Sequence, residues 1–246
     1  MKRADRARRL GAMTAVGLSL GASALASPAA AAAKPPPLAS LLANANAGAT
    51  HAGSVRVSVN FVSKGQTGTV VVDSAVETGQ EALVYGKQAV GIVLTNGVVY
   101  ITGNSQGLTS YFGLPASSST ALSGRWISFA STDQGYLTFL GDVELSAVLK
   151  SVMPTGTLVR EKTTSLSGKP VIAIAGRGPA GESRGVLFVQ ANGAGLPVEA
   201  VISNGSGKNA SGEIVKFSRW GEKVDPAVPT GAISVAALRS QSPAAG

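Results

Sequence analysis

The chain has no cysteine, a single histidine, and few aromatic residues, 5% of its 246 positions. Without cysteine there is no thiolate metal ligand, no thiol nucleophile, no disulfide, and no thiol to carry a lipid at the N-terminus. A domain exposed to an oxidising exterior must then hold together by burial alone. His51 by itself cannot build a zinc site, and the only acid on its N-terminal side is Asp5. Charge is also sparse, at 14% of residues. The basic residues after the N-terminus, among them Lys64, Lys87, Arg125, Lys150, Arg177, Arg184 and Lys216, occur singly and form no stripe interleaved with aromatics. That argues against a nucleic-acid partner. A mild positive charge still suits anionic glycolipid or cell-wall surfaces.

What is present begins with the N-terminus. Lys2, Arg3, Arg6, Arg8 and Arg9 face one acid, Asp5, and an apolar run from Leu10 to Ala22 follows. Ala24-Leu25-Ala26 and the small residues up to Ala33 complete a charged, apolar and cleavable leader. Residues 1–33 are therefore expected to be a signal peptide, cut between Ala26 and Ala33, leaving no transmembrane segment. The apolar run is too short and too Gly-rich to favour a membrane span of about 20 residues; an uncleaved anchor is the alternative. Removing the leader takes the net charge from +8 to +4.

Residues 34–37 read as a Pro-rich spacer. A single domain is expected over 38–239, with a disordered tail at 240–246. Leu38, Leu41, Leu42 and Ala45 recur at helical spacing. From Ser54 the period becomes two, with Val55, Val57, Val59 and Phe61 alternating with Arg56, Ser58 and Asn60. Short strands follow up to Thr102, and Asn96-Gly97 is a strong hairpin signal. A helical, aromatic-rich insert comes next, carrying Leu108, Tyr111, Phe112, Trp126, Phe129, Tyr136 and Phe139. Within it Asp142 is placed to N-cap a helix over Val143 to Met153, ended by Pro154. Strands resume from Leu158 to Arg219, and the chain after Trp220 is expected to run along the sheet edge. Helix, strands, helical insert and strands together predict an α+β protein with one strongly curved antiparallel sheet.

Chemical motifs are few, and plain readings account for them. Gly103-Asn104-Ser105-Gln106-Gly107 matches a nucleophile elbow, but His51 precedes it and no parallel sheet is expected. A Gly-flanked turn explains it, as it does Gly181-Glu182-Ser183-Arg184-Gly185. Gly176 to Gly181 spells a dinucleotide fingerprint, yet a strand rather than a helix should follow. No metal site, no cofactor and no catalytic residue is expected.

Six segments, taken in order, carry a resemblance. They are Val98-Val99-Tyr100-Ile101-Thr102-Gly103-Asn104, Tyr111-Phe112-Gly113, Gly124-Arg125-Trp126-Ile127, Gly168-Lys169-Pro170-Val171-Ile172, Leu196-Pro197-Val198, and Val215 through Val224. Together they resemble the exported actinobacterial proteins of the LppX/LprG lipoprotein group, in the LolA-like superfamily. That resemblance implies an unclosed half-barrel with helices on its concave face and a cavity for acyl chains. It also implies a non-catalytic carrier or binding protein for a lipid or acylated glycolipid of the cell envelope. The lipobox Cys of that group is missing here, so a secreted or wall-associated protein without a lipid anchor is expected. The alternative is a module with a filled core that binds or senses an envelope protein.

If a cavity exists, Val55, Val57, Val59 and Phe61 offer one apolar strand face, and Val90, Ile92 and Leu94 another. Leu108, Phe112, Phe139, Val148 and Leu149 would form the lid.

Overall fold

The computed structural model describes residues 36–162, 164–179, 184–204 and 211–241. The expected leader, the first residues of the spacer and residues 242–246 of the expected tail lie outside these.

Helix α1, Leu38–Ala52, forms where the leucine spacing predicts it. It stops at Gly53, whose φ of 74° permits the left-handed turn and whose N–H donates to the carbonyls of Ala49 and Thr50. Five strands follow: β1 (Ser54–Ser63), β2 (Gln66–Ala75), β3 (Gly79–Tyr85), β4 (Gln88–Thr95) and β5 (Val98–Gly103). The insert holds α2 (Ser105–Ser110), α3 (Ala116–Ala121), β6 (Ile127–Phe129), α4 (Tyr136–Val143) and α5 (Leu145–Lys150). The second half brings β7 (Thr155–Arg160), β8 (Thr164–Leu166), β9 (Lys169–Arg177), β10 (Arg184–Gln190), β11 (Pro197–Asn204) and β12 (Ser211–Ser218). Strand β13 (Ile233–Ser234) and α6 (Val235–Gln241) close the described chain.

All thirteen strands among the described residues join one unclosed sheet, ordered β13-β6-β5-β4-β3-β2-β1-β12-β11-β10-β9-β7, with β8 also paired to β9. Every pairing within it is antiparallel except β13 with β6. The two halves meet at β1 and β12, where Val57 lies opposite Phe217 and Val59 opposite Val215. Strand β13 brings the chain after Trp220 to the free edge, as the sequence predicts.

One face of the sheet is apolar, and it carries the helices. Helix α1 touches both β1 and β7, so it crosses the second half of the sheet. Helix α4 lies over β2 to β5, and α5 meets β2 and α1. Buried side chains from both halves and from the helices form a single apolar cluster. This is the expected α+β architecture: a sheet curled around a layer of helices.

One expectation needs correction. Asp142 does not cap a helix running to Met153. Two helices stand there instead, broken at Glu144, whose ψ of 133° is extended. The sheet causes the break. Ser74 Oγ donates to the Val143 carbonyl at 2.6 Å, and Glu144 bridges to Ala75. Gly79 leaves room for this contact, since a Cβ there would stand 2.6 Å from the Val143 carbonyl oxygen. Asp142 belongs to the last turn of α4.

Candidate functional site

The period of two in β1 turns Val55, Val57, Val59 and Phe61 to the helix-bearing face, and the antiparallel register extends that face sideways. Val57 lies opposite Val72, Val59 opposite Val70, and Leu83 opposite Val90. Ile92 and Leu94 continue it along β4. Above them the short helices of the insert are apolar towards the sheet. None of these helices exceeds eight residues, so they depend on tertiary packing for their stability.

All twelve side chains proposed from the sequence belong to the one apolar cluster or pack against it. They divide into two groups. Val55, Val57, Val90, Ile92, Leu94, Leu108, Val148 and Leu149 are buried. Val59, Phe61, Phe112 and Phe139 are only partly buried. The aromatic rings form a chain through the insert. Tyr111 meets Phe112 edge-on at 5.1 Å, Phe112 meets Phe139 at 5.2 Å, and Phe139 meets Phe129 at 5.0 Å. Away from the insert, Phe61 stacks on Tyr85 at 5.5 Å. Its ring lies where any side chain at position 68 would project, which Gly68 leaves free.

Sequence reasoning passed over one polar group on this face. Glu81 is 4% exposed and lies opposite Val72 on one side and Ile92 on the other. Tyr111 Oη stands 3.3 Å from Glu81 Oε1 and 3.1 Å from Asp142 Oδ2, linking α2's end and α4 to the sheet. The signal was available: the alternation in β3 that buries Leu83 also buries Glu81.

The opposite face holds a polar cleft of about 350 Å³ beneath the strap formed by residues 222–227. Arg56 donates to Asp73 through two hydrogen bonds of 2.6 and 2.7 Å, and Gln80 adds a third at 2.9 Å. The hydrogen bonds from Arg56 hold the Asp73 carboxyl below its ordinary range, outweighing partial burial. Thr78 Oγ1 and Ser54 Oγ donate to the carbonyls of Val224 and Glu222, and buried Pro226 secures the strap.

Local geometry accounts for the motifs that look chemical. Asn104 caps α2, its Oδ1 accepting from Gly107 N–H at 2.8 Å. Gly103 and Gly107 allow close approach to the Ala89 carbonyl oxygen, which an added Cβ would meet at 2.8 and 2.4 Å. Ser105 Oγ lies 3.4 Å from Thr120 Oγ1. The Gly-rich segment after Gly176 joins β9 to β10, which is a strand and not a helix. Residues 180–183 of that segment lie outside the described residues. His51 is exposed in the last turn of α1. Among the described residues no three His, Cys, Asp or Glu side chains gather in a group able to hold a metal ion. No described helix is long and apolar enough to cross a membrane.

No known family's sequence profile matches the chain. No curated protein matches it either. Among solved structures it is similar to the Mycobacterium tuberculosis lipoprotein LppX, at 18% identity and a TM-score of 0.44 over 77% of this chain and 99% of that one. It is also similar to an uncharacterized conserved protein from Thermus thermophilus, at 12% identity and a TM-score of 0.44, over 80% of this chain and 97% of that one.

Proposed function

We propose that this protein is an exported, non-catalytic carrier or binding protein for a hydrophobic ligand of the cell envelope, a lipid or an acylated glycolipid. The ligand lies between the apolar face of the sheet and the helical insert. One observation carries the reading: a single apolar surface runs across both halves of an unclosed sheet, under a roof of short helices, and on it Val59 and Phe61 of the sheet and Phe112 and Phe139 of the roof stay only partly buried. Each buried methylene contributes about 0.8 kcal/mol, so a long acyl chain needs no charged partner to bind usefully. The leader read from residues 1–33 directs the protein outside the cell, and none of the 246 residues is a Cys that could carry a thioether-linked lipid.

A second reading draws on the eight proposed residues that are buried. It holds that the protein's own side chains fill this space and that the domain recognises an envelope protein instead. Native mass spectrometry of protein purified from its own host separates the two. Bound mass that is released as lipid on unfolding supports the carrier. A ligand-free protein that also fails to take up a fluorescent acyl probe overturns it.

A further inference from the structure

Basic residues that stand far apart in the sequence are gathered at one end of the sheet. β1 runs from Ser54 to Ser63, and the antiparallel register fixes the direction of its neighbours. The β1–β2 turn, the β3–β4 turn, the end of β5, and the top of the β9–β10 hairpin therefore lie at the same end of the strands. Lys64 occupies the first turn and Lys87 the second. Arg177 and Arg184 are direct cross-strand partners at the third hairpin. Arg125 joins them, because Gly124 N–H donates to the carbonyl of Gly103 at the end of β5.

All five are exposed. Arg184 pairs with Glu161, but none of the ion pairs among the described residues engages Lys64, Lys87, Arg125 or Arg177. The other described acid near this end is Glu213, opposite Phe61. Like charges placed directly opposite each other, as Arg177 and Arg184 are, destabilise a sheet slightly. The other end is mixed in sign: Asp73, Glu77, Glu222 and Asp225 stand with Arg56, Lys169, Arg219 and Lys223. The stacked Phe61 and Tyr85 rings, which the roof leaves partly uncovered, sit just inside the basic end.

We infer that this basic rim is a docking surface for an anionic lipid bilayer, presenting the Phe61 end of the apolar face to the membrane. From β6 to β9 the rim extends roughly 40 Å along the sheet at about 4.8 Å per strand, so its charges meet a plane rather than a point ligand. A bilayer with anionic headgroups offers that plane, and its negative potential attracts each basic residue near the surface. The purpose assigned to the rim rests on the carrier reading; its geometry does not.

The test is co-sedimentation of the purified protein with phosphatidylcholine vesicles, with and without roughly a third phosphatidylglycerol. Lys64→Asn, Lys87→Gln and Arg177→Gln are made singly and together, with Lys223→Gln as a control at the opposite end. Asn suits position 64 because Lys64 has a φ of 48°. Every variant carries the same N-terminus, so a difference between variants reports the substituted residue. Anionic vesicles should bind the protein in a salt-sensitive way and neutral ones should not. Each rim substitution should weaken binding about fivefold and the triple variant about a hundredfold, while Lys223→Gln changes little. Equal loss from Lys223→Gln and the single rim variants would overturn the proposal, as would an absence of anionic-vesicle binding by the parent protein. Uptake of a fluorescent acyl probe in solution is measured on the same variants. Vesicle binding without probe uptake sinks the carrier reading alone; probe uptake without vesicle binding sinks the rim alone.

Discussion

Replacing Val148 by Trp separates a ligand cavity from a filled core. Val148 lies in α5 at 7% exposure, between Leu145 at 3% and Leu149 at 1%, where α5 meets β2 and α1. If the protein's own atoms fill this space, the indole overpacks it at a cost of about 1–3 kcal/mol. For a protein of this size that lowers Tm by roughly 2–4 °C per kcal/mol. If acyl chain occupies the space, the indole takes the ligand's place and stability changes little. Displacing about four methylenes removes about 3 kcal/mol of binding, an affinity loss of roughly two-hundredfold. A thermal melt and a titration with a fluorescent sixteen-carbon acyl probe read both quantities on one sample. The carrier reading expects an almost unchanged Tm and a loss of probe binding of at least about a hundredfold. Leu149→Ala should do the opposite, costing about 2–5 kcal/mol of stability while leaving room for the probe. A Val148→Trp variant that melts several degrees lower yet binds the probe as before refutes the reasoning.

Further outcomes are expected. Gly79→Ala forces the new Cβ against the Val143 carbonyl and should cost roughly 1–3 kcal/mol in chemical denaturation, with the loss of protection from hydrogen exchange concentrated in α4. Asp73 has a lowered pKa in the folded protein, so its stabilisation is complete above its unfolded value and disappears as pH falls through the folded one. Asp73→Asn should therefore cost about 1 kcal/mol at neutral pH and nothing in strong acid, as read from denaturation midpoints. Glu199 behaves in the opposite way. Burial raises its pKa against the pull of Lys216, so its ionisation costs stability as pH rises through the unfolded and then the folded value. Glu199→Gln should accordingly raise the denaturation midpoint at pH 7 and match the parent protein at low pH. Ser105→Ala should leave any esterase rate unchanged; a loss above about tenfold would restore the nucleophile-elbow reading.

Much of this protein was settled by local pattern. The alternation from Val55 to Phe61 specifies a strand with one apolar face, because successive side chains point to opposite sides. The spacing of Leu38, Leu41 and Leu42 specifies α1, and Asn96-Gly97 places the turn between β4 and β5. The order of elements gives an antiparallel α+β sheet, since two runs of strands joined by short turns flank one helical insert instead of alternating with helices. The apolar set drawn from these patterns reassembles as one cluster because each member lies on the inward side of its own element. What the fold alone decided depends on distance along the chain. The break at Glu144 comes from Ser74, Ala75 and Gly79, some seventy residues earlier, which capture the backbone where local propensity would continue the helix. Burial of Glu81 beside Tyr111 and Asp142 requires three segments to meet. Lys64, Lys87, Arg125, Arg177 and Arg184 look scattered in one dimension. They become a rim only when antiparallel pairing brings every second turn of the sheet to the same end, which no local pattern of charge encodes.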